Sequence, residues 1–143
     1  MKTEMRLEFD SRSENESFAR TVAAAFILRL DPTLETLSEI KTAVSEAVTN
    51  AIVHGYGEKK GTVILKGTIE DDVVEFEVSD KGVGIADVKK AREPLYTSSP
   101  QTERSGMGFT IMESFMDEVS VKSIVGAGTS IKMKRRIEVP QNA

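Results

Sequence analysis

The chain has no cysteine and no tryptophan, a single histidine and four prolines among its 143 residues. Without cysteine there is neither a disulfide framework nor a thiolate metal site, and nothing argues for export. No run of 18 or more apolar residues occurs, so a membrane-spanning helix is not expected. The longest apolar stretch, residues 22–28, is short, and its alanines suit a packed helix. The opening MKTEMRLEFD has no apolar segment of the secretory type. A cytoplasmic location is the expectation. A basic excess is also missing: the net charge is −4 and the pI about 5.2. That balance argues against direct nucleic-acid binding. The one dense basic stretch, Lys132, Lys134, Arg135 and Arg136, reads as a charged edge strand protected against aggregation.

What is present fits one soluble globular domain over residues 1–143, with 39% hydrophobic and 29% charged residues. Met5, Leu7 and Phe9 alternate with charged residues and predict a strand with one buried face. Ser13 and Glu16 have the spacing of a capping box, followed by a helical stripe of Phe18, Val22, Ala25 and Phe26. Asp31-Pro32 interrupts it. A second box, Thr36 with Glu39, opens a helix whose stripe is Leu37, Ile40, Val44, Ala47, Val48 and Ala51, ending near Gly55 and Gly57. Two strands follow, at residues 62–70 and 73–79, with Asp71-Asp72 as their turn. Residues 81–108 read as a long polar loop, which calls for a functional explanation. A third helix over 109–116 leads to a hairpin, 119–125 with 129–137, across Gly126-Ala127-Gly128. Strands grouped in hairpins predict an α+β, two-layer sandwich: a mixed, mostly antiparallel sheet with helices on one face.

Four short patterns carry candidate chemistry. Glu46 and Asn50, four residues apart, share a helix face about 160° and 120° from the centre of the apolar stripe. Ala43 and Val53 flank them, and no lysine or arginine stands at i±3 or i±4 of Glu46. A carboxylate and an amide on a half-apolar face suit a general base and a hard-cation ligand, although the spacing alone fits an ordinary exposed pair. Asp80-Lys81-Gly82-Val83-Gly84 follows a strand, where two glycines let backbone approach a planar or phosphorylated ligand closely. It is not a dinucleotide-binding fingerprint, because no third glycine is in register and no long helix follows. Gly106-Met107-Gly108 stands where the loop enters the third helix, a natural anion site. Gly126-Ala127-Gly128-Thr129 reads as a hairpin turn. Residues 57–62 are not a phosphate-binding Walker loop, since their lysines precede the glycine. His54 reads as a hydrogen-bonded residue at a helix end, and Arg20 as a solvated charge or a partner contact.

The order of these patterns resembles the Bergerat-fold ATPases, the superfamily that includes gyrase and the histidine kinases. Glu46-Ala47-Val48-Thr49-Asn50-Ala51-Ile52-Val53-His54-Gly55-Tyr56 is similar to the first box of the bacterial anti-sigma-factor serine kinases. Among these the sporulation form matches best, with the general stress form second. The resemblance implies Glu46 as general base and Asn50 as ligand of Mg²⁺ bridging the ATP phosphates. Asp80 would receive the adenine amino group, helped by a water and Thr129, with Gly82 and Gly84 turning the chain around the base. Gly106 and Gly108 would offer backbone amides to the phosphates. A lid at about residues 87–105 would close over them, with Arg104 offsetting charge. The implied partners are a sigma factor, an anti-anti-sigma protein phosphorylated on serine, and a second copy in a homodimer, with Arg20 at a partner surface. Two other functions stay open: a nucleotide-gated binding module without phosphotransfer, and a catalytic domain phosphorylating histidine in trans. The presence of Glu46 favours the serine kinase, because a pure binding switch needs no base.

Overall fold

Strand β1 (Lys2–Asp10) turns Met5, Leu7 and Phe9 toward the core and Lys2, Glu4, Arg6 and Glu8 toward solvent. It pairs antiparallel with β2 (Thr62–Glu70), so that Leu7 faces Leu65. A tight turn, with Asp71 at φ 55°, leads into β3 (Val73–Asp80). The hairpin β4 (Glu118–Ile124) and β5 (Gly128–Arg136) completes a five-stranded sheet of order β1-β2-β3-β5-β4. Among the described residues all four pairings are antiparallel, in keeping with the mostly antiparallel sheet expected. The computed structural model describes residues 1–94 and 107–138.

Helices α1 (Asn15–Ile27), α2 (Leu34–Thr49) and α4 (Gly108–Phe115) cover one face of this sheet. Their buried side chains meet Val63, Leu65, Val74, Phe76, Ile131 and Met133 from the strands. The Phe26 ring stands edge-on to Phe76, centroids 6.1 Å apart, and it fits because Gly67 on β2 leaves room for it. Each such fully buried apolar side chain stabilises the fold by roughly 1.5–3 kcal/mol. The other sheet face is polar, and its charges pair across strands. Glu77 lies 3.9 Å from both Lys66 and Lys132, and Glu75 3.7 Å from Lys134.

Several local expectations change. The buried face of α1 is Ala19, Ala23, Phe26 and Ile27, while Phe18 and Ala25 are exposed. Close helix packing selects the small residues here, so the stripe is rotated from the one the large residues suggested. Ser13 makes no side-chain cap, and the residue before α1 is Glu14. The second helix starts earlier than expected: Thr33 caps it, its hydroxyl accepting from the Thr36 N–H at 3.1 Å. The long loop contains a short helix, α3 (Val88–Ala91), capped by Asp87. Strand β5 is not an edge, since it lies between β3 and β4. Of its basic residues, Arg135 points inward, donating to the Phe115 carbonyl at 2.7 Å and pairing with Glu39 at 3.0 Å.

Candidate nucleotide and phosphoryl-transfer site

Beyond Thr49 the second helix does not stop but widens into a π-helical turn, Asn50–Tyr56. The Gly57 N–H reaches back five residues to the Ile52 carbonyl at 3.0 Å. Such widened turns concentrate at functional sites, because they re-aim side chains within an otherwise regular helix. Here the change starts at Asn50 itself. Glu46 is half-buried one turn earlier, and so is Asn50. Both are only partly exposed: α4 packs against α2, and Ala43, one turn before Glu46, is fully buried. A β-carbon added to Gly108, the first residue of α4, would lie 3.2 Å from Glu46 Oε2. The carboxylate therefore abuts a helix N-terminus, where backbone N–H groups carry partial positive charge.

The other half of the site is built around Asp80, the last residue of β3 and only 8% exposed. Its Oδ1 accepts from the Gly82 N–H at 2.8 Å, and the Thr129 N–H also bonds the carboxyl group. Burial pushes its pKa above the ordinary aspartate value, and these two backbone bonds pull it partly back. Gly55, inside the π turn, lies directly against the carboxylate. The strap after Asp80 is pressed against that turn: the Val83 N–H donates to the Gly55 carbonyl at 2.9 Å. A β-carbon on Gly82 would stand 2.0 Å from the same carbonyl oxygen, so only glycine fits. Gly84, at φ 77°, is required for a second reason: its missing side chain would strike the Ile124 carbonyl of the β4–β5 hairpin at 2.3 Å. These glycines serve backbone packing that shapes the pocket wall.

The structure thus brings together Glu46, Asn50 and Gly108 on one side and Asp80, Gly82, Gly84 and Thr129 on the other, joined by the π turn. Gly106 and Arg104 lie outside the described residues, as does most of the expected lid. Arg20 has contacts on α1 and with Ser45, the neighbour of Glu46 in the chain. It is half-buried, 2.9 Å from Glu16 and 3.4 Å from Ser45. Sequence reasoning treated Gly55 only as a helix end and passed over Tyr56 and Ser123. The Tyr56 hydroxyl donates to the Thr62 carbonyl at 2.6 Å and accepts from the Lys81 N–H at 2.7 Å, tying the π turn to β2 and the strap. The signal for Ser123 was the period-two pattern of β4, which puts it on the covered face with Val119 and Val121.

Among the described residues, no group of three or more histidine, cysteine, aspartate or glutamate side chains could hold a metal ion. No helix among them is long and apolar enough to cross a membrane.

Comparison with known proteins shows the family and the fold. Residues 9–135 match the family model described as a histidine kinase-like ATPase domain. The chain is 58% identical over 138 residues to the anti-sigma F factor of Geobacillus thermodenitrificans, covering 96% of this chain and 94% of that protein. It is 56% identical to the anti-sigma F factor of Bacillus subtilis, with 96% and 94% covered, and 56% identical to that of Clostridium acetobutylicum, with 95% of each covered. A solved Mycobacterium tuberculosis structure of the RsbU and RsbW domains of Rv1364c superposes with a TM-score of 0.70 at 18% identity, over 96% of this chain and 33% of that one. The catalytic domain of the histidine kinase ThkA superposes at 0.59 and 16% identity, over 93% and 96%. Those two likenesses speak for the fold, and the sequence identities speak for the family: the chain belongs to the anti-sigma F factors, within the histidine kinase-like ATPases.

Proposed function

We propose that this protein restrains a sporulation sigma factor and uses ATP to phosphorylate a serine of an anti-anti-sigma protein. The observation that carries the catalytic part is the contact between Glu46 and Gly108. It puts a carboxylate base beside the helix end best suited to receive phosphate oxygens. In the proposed step the serine Oγ attacks the γ-phosphorus of ATP while Glu46 takes the hydroxyl proton. The bond from that phosphorus to the β–γ bridging oxygen breaks, and ADP leaves. Catalysis rests on positioning and on charge neutralisation around the transferred group.

Asn50 offers one amide oxygen, and the absence of a carboxylate cluster among the described residues fits a cation held mostly by phosphate oxygens and water. That is the coordination Mg²⁺ prefers, and bound there it would neutralise charge on the phosphates. Asp80 accepts a hydrogen bond from the base and Gly82 and Gly84 shape the wall beside it. Gly106 and Arg104 complete the phosphate end in this reading. Arg20, held by Glu16 beside the exposed Phe18, contributes to a partner surface.

The test is incubation with labelled ATP and the anti-anti-sigma protein encoded in the same genome, followed by acid treatment. Acid-stable phosphoserine on the partner is expected. Acid-labile label, or no transfer in the presence of Mg²⁺, removes the serine-kinase assignment.

A further inference from the structure

Three residues on three adjacent strands form one row across the covered face of the sheet. Asp80 of β3 stands opposite Thr129 of β5, and Thr129 stands opposite Ser123 of β4. Thr129 is 5% exposed, and its hydroxyl oxygen is 2.8 Å from that of Ser123. Ser123 makes two further contacts: it accepts from the Ile85 N–H at 2.7 Å and reaches the Gly128 carbonyl at 3.1 Å.

Proton counting leaves a single set of directions in which all three contacts are hydrogen bonds. A serine hydroxyl has one hydrogen and two lone pairs. The Ile85 N–H can only donate, so it occupies one lone pair. The Gly128 carbonyl can only accept, so it takes the hydrogen. One lone pair of Ser123 remains, and the 2.8 Å contact is a hydrogen bond only if Thr129 is the donor. With its hydrogen committed sideways, the Thr129 hydroxyl can present nothing but lone pairs to the pocket.

We infer that Ser123 is a specificity-determining residue: it holds Thr129 as an acceptor, so the row selects a purine with an amino group at position 6 over one with a carbonyl there. This inference rests on the nucleotide-binding reading above. Asp80 supplies acceptors at one end of the row and Thr129 adds another, so an exocyclic amine finds partners and a carbonyl meets lone pairs. A site built to receive a donor rejects the analogue that lacks it, because buried polar atoms are then left unpaired. Ser123 touches no base in this scheme; it acts through Thr129.

The experiment is calorimetric titration with ATP and with ITP, which replaces that amino group by a carbonyl, using wild type, Ser123→Ala, Ser123→Thr and Thr129→Val. In Ser123→Ala the Thr129 hydroxyl is free to turn and donate to a carbonyl. The ATP-to-ITP affinity ratio is expected to fall by roughly tenfold, the scale of one hydrogen bond. Ser123→Thr keeps the hydroxyl and should keep the ratio. In a Thr129→Val background, Ser123→Ala should leave the ratio unchanged, because no hydroxyl remains to be turned. If Ser123→Ala does not fold, Ser123→Cys replaces it, keeping the volume with a much weaker donor and acceptor. A parallel loss of affinity for both nucleotides, with the ratio intact, overturns the inference and leaves the nucleotide site standing. A wild type that binds neither nucleotide overturns both.

Discussion

Gly55 and Asp80 are in such close contact that a β-carbon on Gly55 would lie 2.8 Å from the carboxyl carbon and from Oδ1, and 2.9 Å from Oδ2. The contact comes from the π turn, which brings the end of the second helix down onto the end of β3. No flexible side-chain tip can give way, because Asp80 is buried and held by two backbone N–H groups. Gly55→Ala is therefore expected to destabilise the fold by about 1–3 kcal/mol, as overpacking does. Its ATP affinity should drop more than tenfold, because the displaced group is the one proposed to bind the base. Thermal melting and calorimetry check both, and unchanged ATP affinity would place the base elsewhere.

Asp80 itself connects stability to pH. Its raised pKa means that the folded chain holds this proton more tightly than the unfolded chain does. Stability from this group therefore falls as pH rises from the unfolded value, about 4, through the raised folded value. Above that window the buried charge is a constant penalty. Asp80→Asn keeps an acceptor for the Gly82 N–H and removes the charge. This limb of the pH profile should disappear, whatever the lost acceptor for the Thr129 N–H costs at neutral pH. Its ATP affinity is expected to fall tenfold or more. Denaturant melts from pH 4 to 8, with nucleotide titration at pH 7, test the pair of effects. A variant that keeps the fall in stability across this pH window contradicts the assignment.

Glu46 and Asn50 were legible because their relation is local: four residues on a helix share a face whatever the rest of the chain does. The same holds for Asp80, Gly82 and Gly84 after a strand. Three features were not legible, each for a physical reason. The face α1 buries was hidden because Ala19 and Ala23 fill it while the larger Phe18 stays in solvent, and periodicity weighs size. The π turn was hidden because a change from four-residue to five-residue hydrogen bonding has no residue signature, and Gly55 read as an end. The interior position of β5 was hidden because strand order depends on which edge the returning hairpin meets. Its alternating Lys132 and Lys134 face solvent opposite Glu77 and Glu75, a cross-strand arrangement that local pattern cannot show.

Glu46→Gln tests the chemistry apart from the binding. The amide has the same shape and fits against Gly108 as the carboxylate does, so the fold and nucleotide affinity should be retained within about threefold. Phosphotransfer should fall by roughly 10²–10⁴-fold, the usual contribution of a positioned base. Single-turnover assays with saturating ATP read the chemical step alone. Turnover close to wild type would remove Glu46 from the base role.

The remaining prediction concerns assembly. Among the described residues, strand β1 pairs with β2 on one side only and forms an edge of the sheet, so its other side is open to another strand. Its solvent face carries Lys2, Glu4, Arg6 and Glu8. Antiparallel pairing of two copies centred on Met5 would place Lys2 opposite Glu8 and Glu4 opposite Arg6, every pair of opposite sign. That is the self-complementarity an isologous two-fold contact requires. We propose a homodimer joined through β1. Light scattering at micromolar concentration should give about 31 kDa, twice the 15.7 kDa chain. The partly buried Leu7 is a poor probe, since it packs on the protein's own core and Leu7→Asp would unfold the chain. The exposed charges are better. Lys2→Glu with Arg6→Glu makes the strand face acidic and should give folded monomers, because like charges directly opposite repel. Glu4→Lys with Glu8→Lys makes it basic, with the same result. Mixing the two double variants should restore a dimer containing one copy of each. A 16 kDa wild type, or acidic and basic variants that each remain dimeric, would rule out the β1 contact.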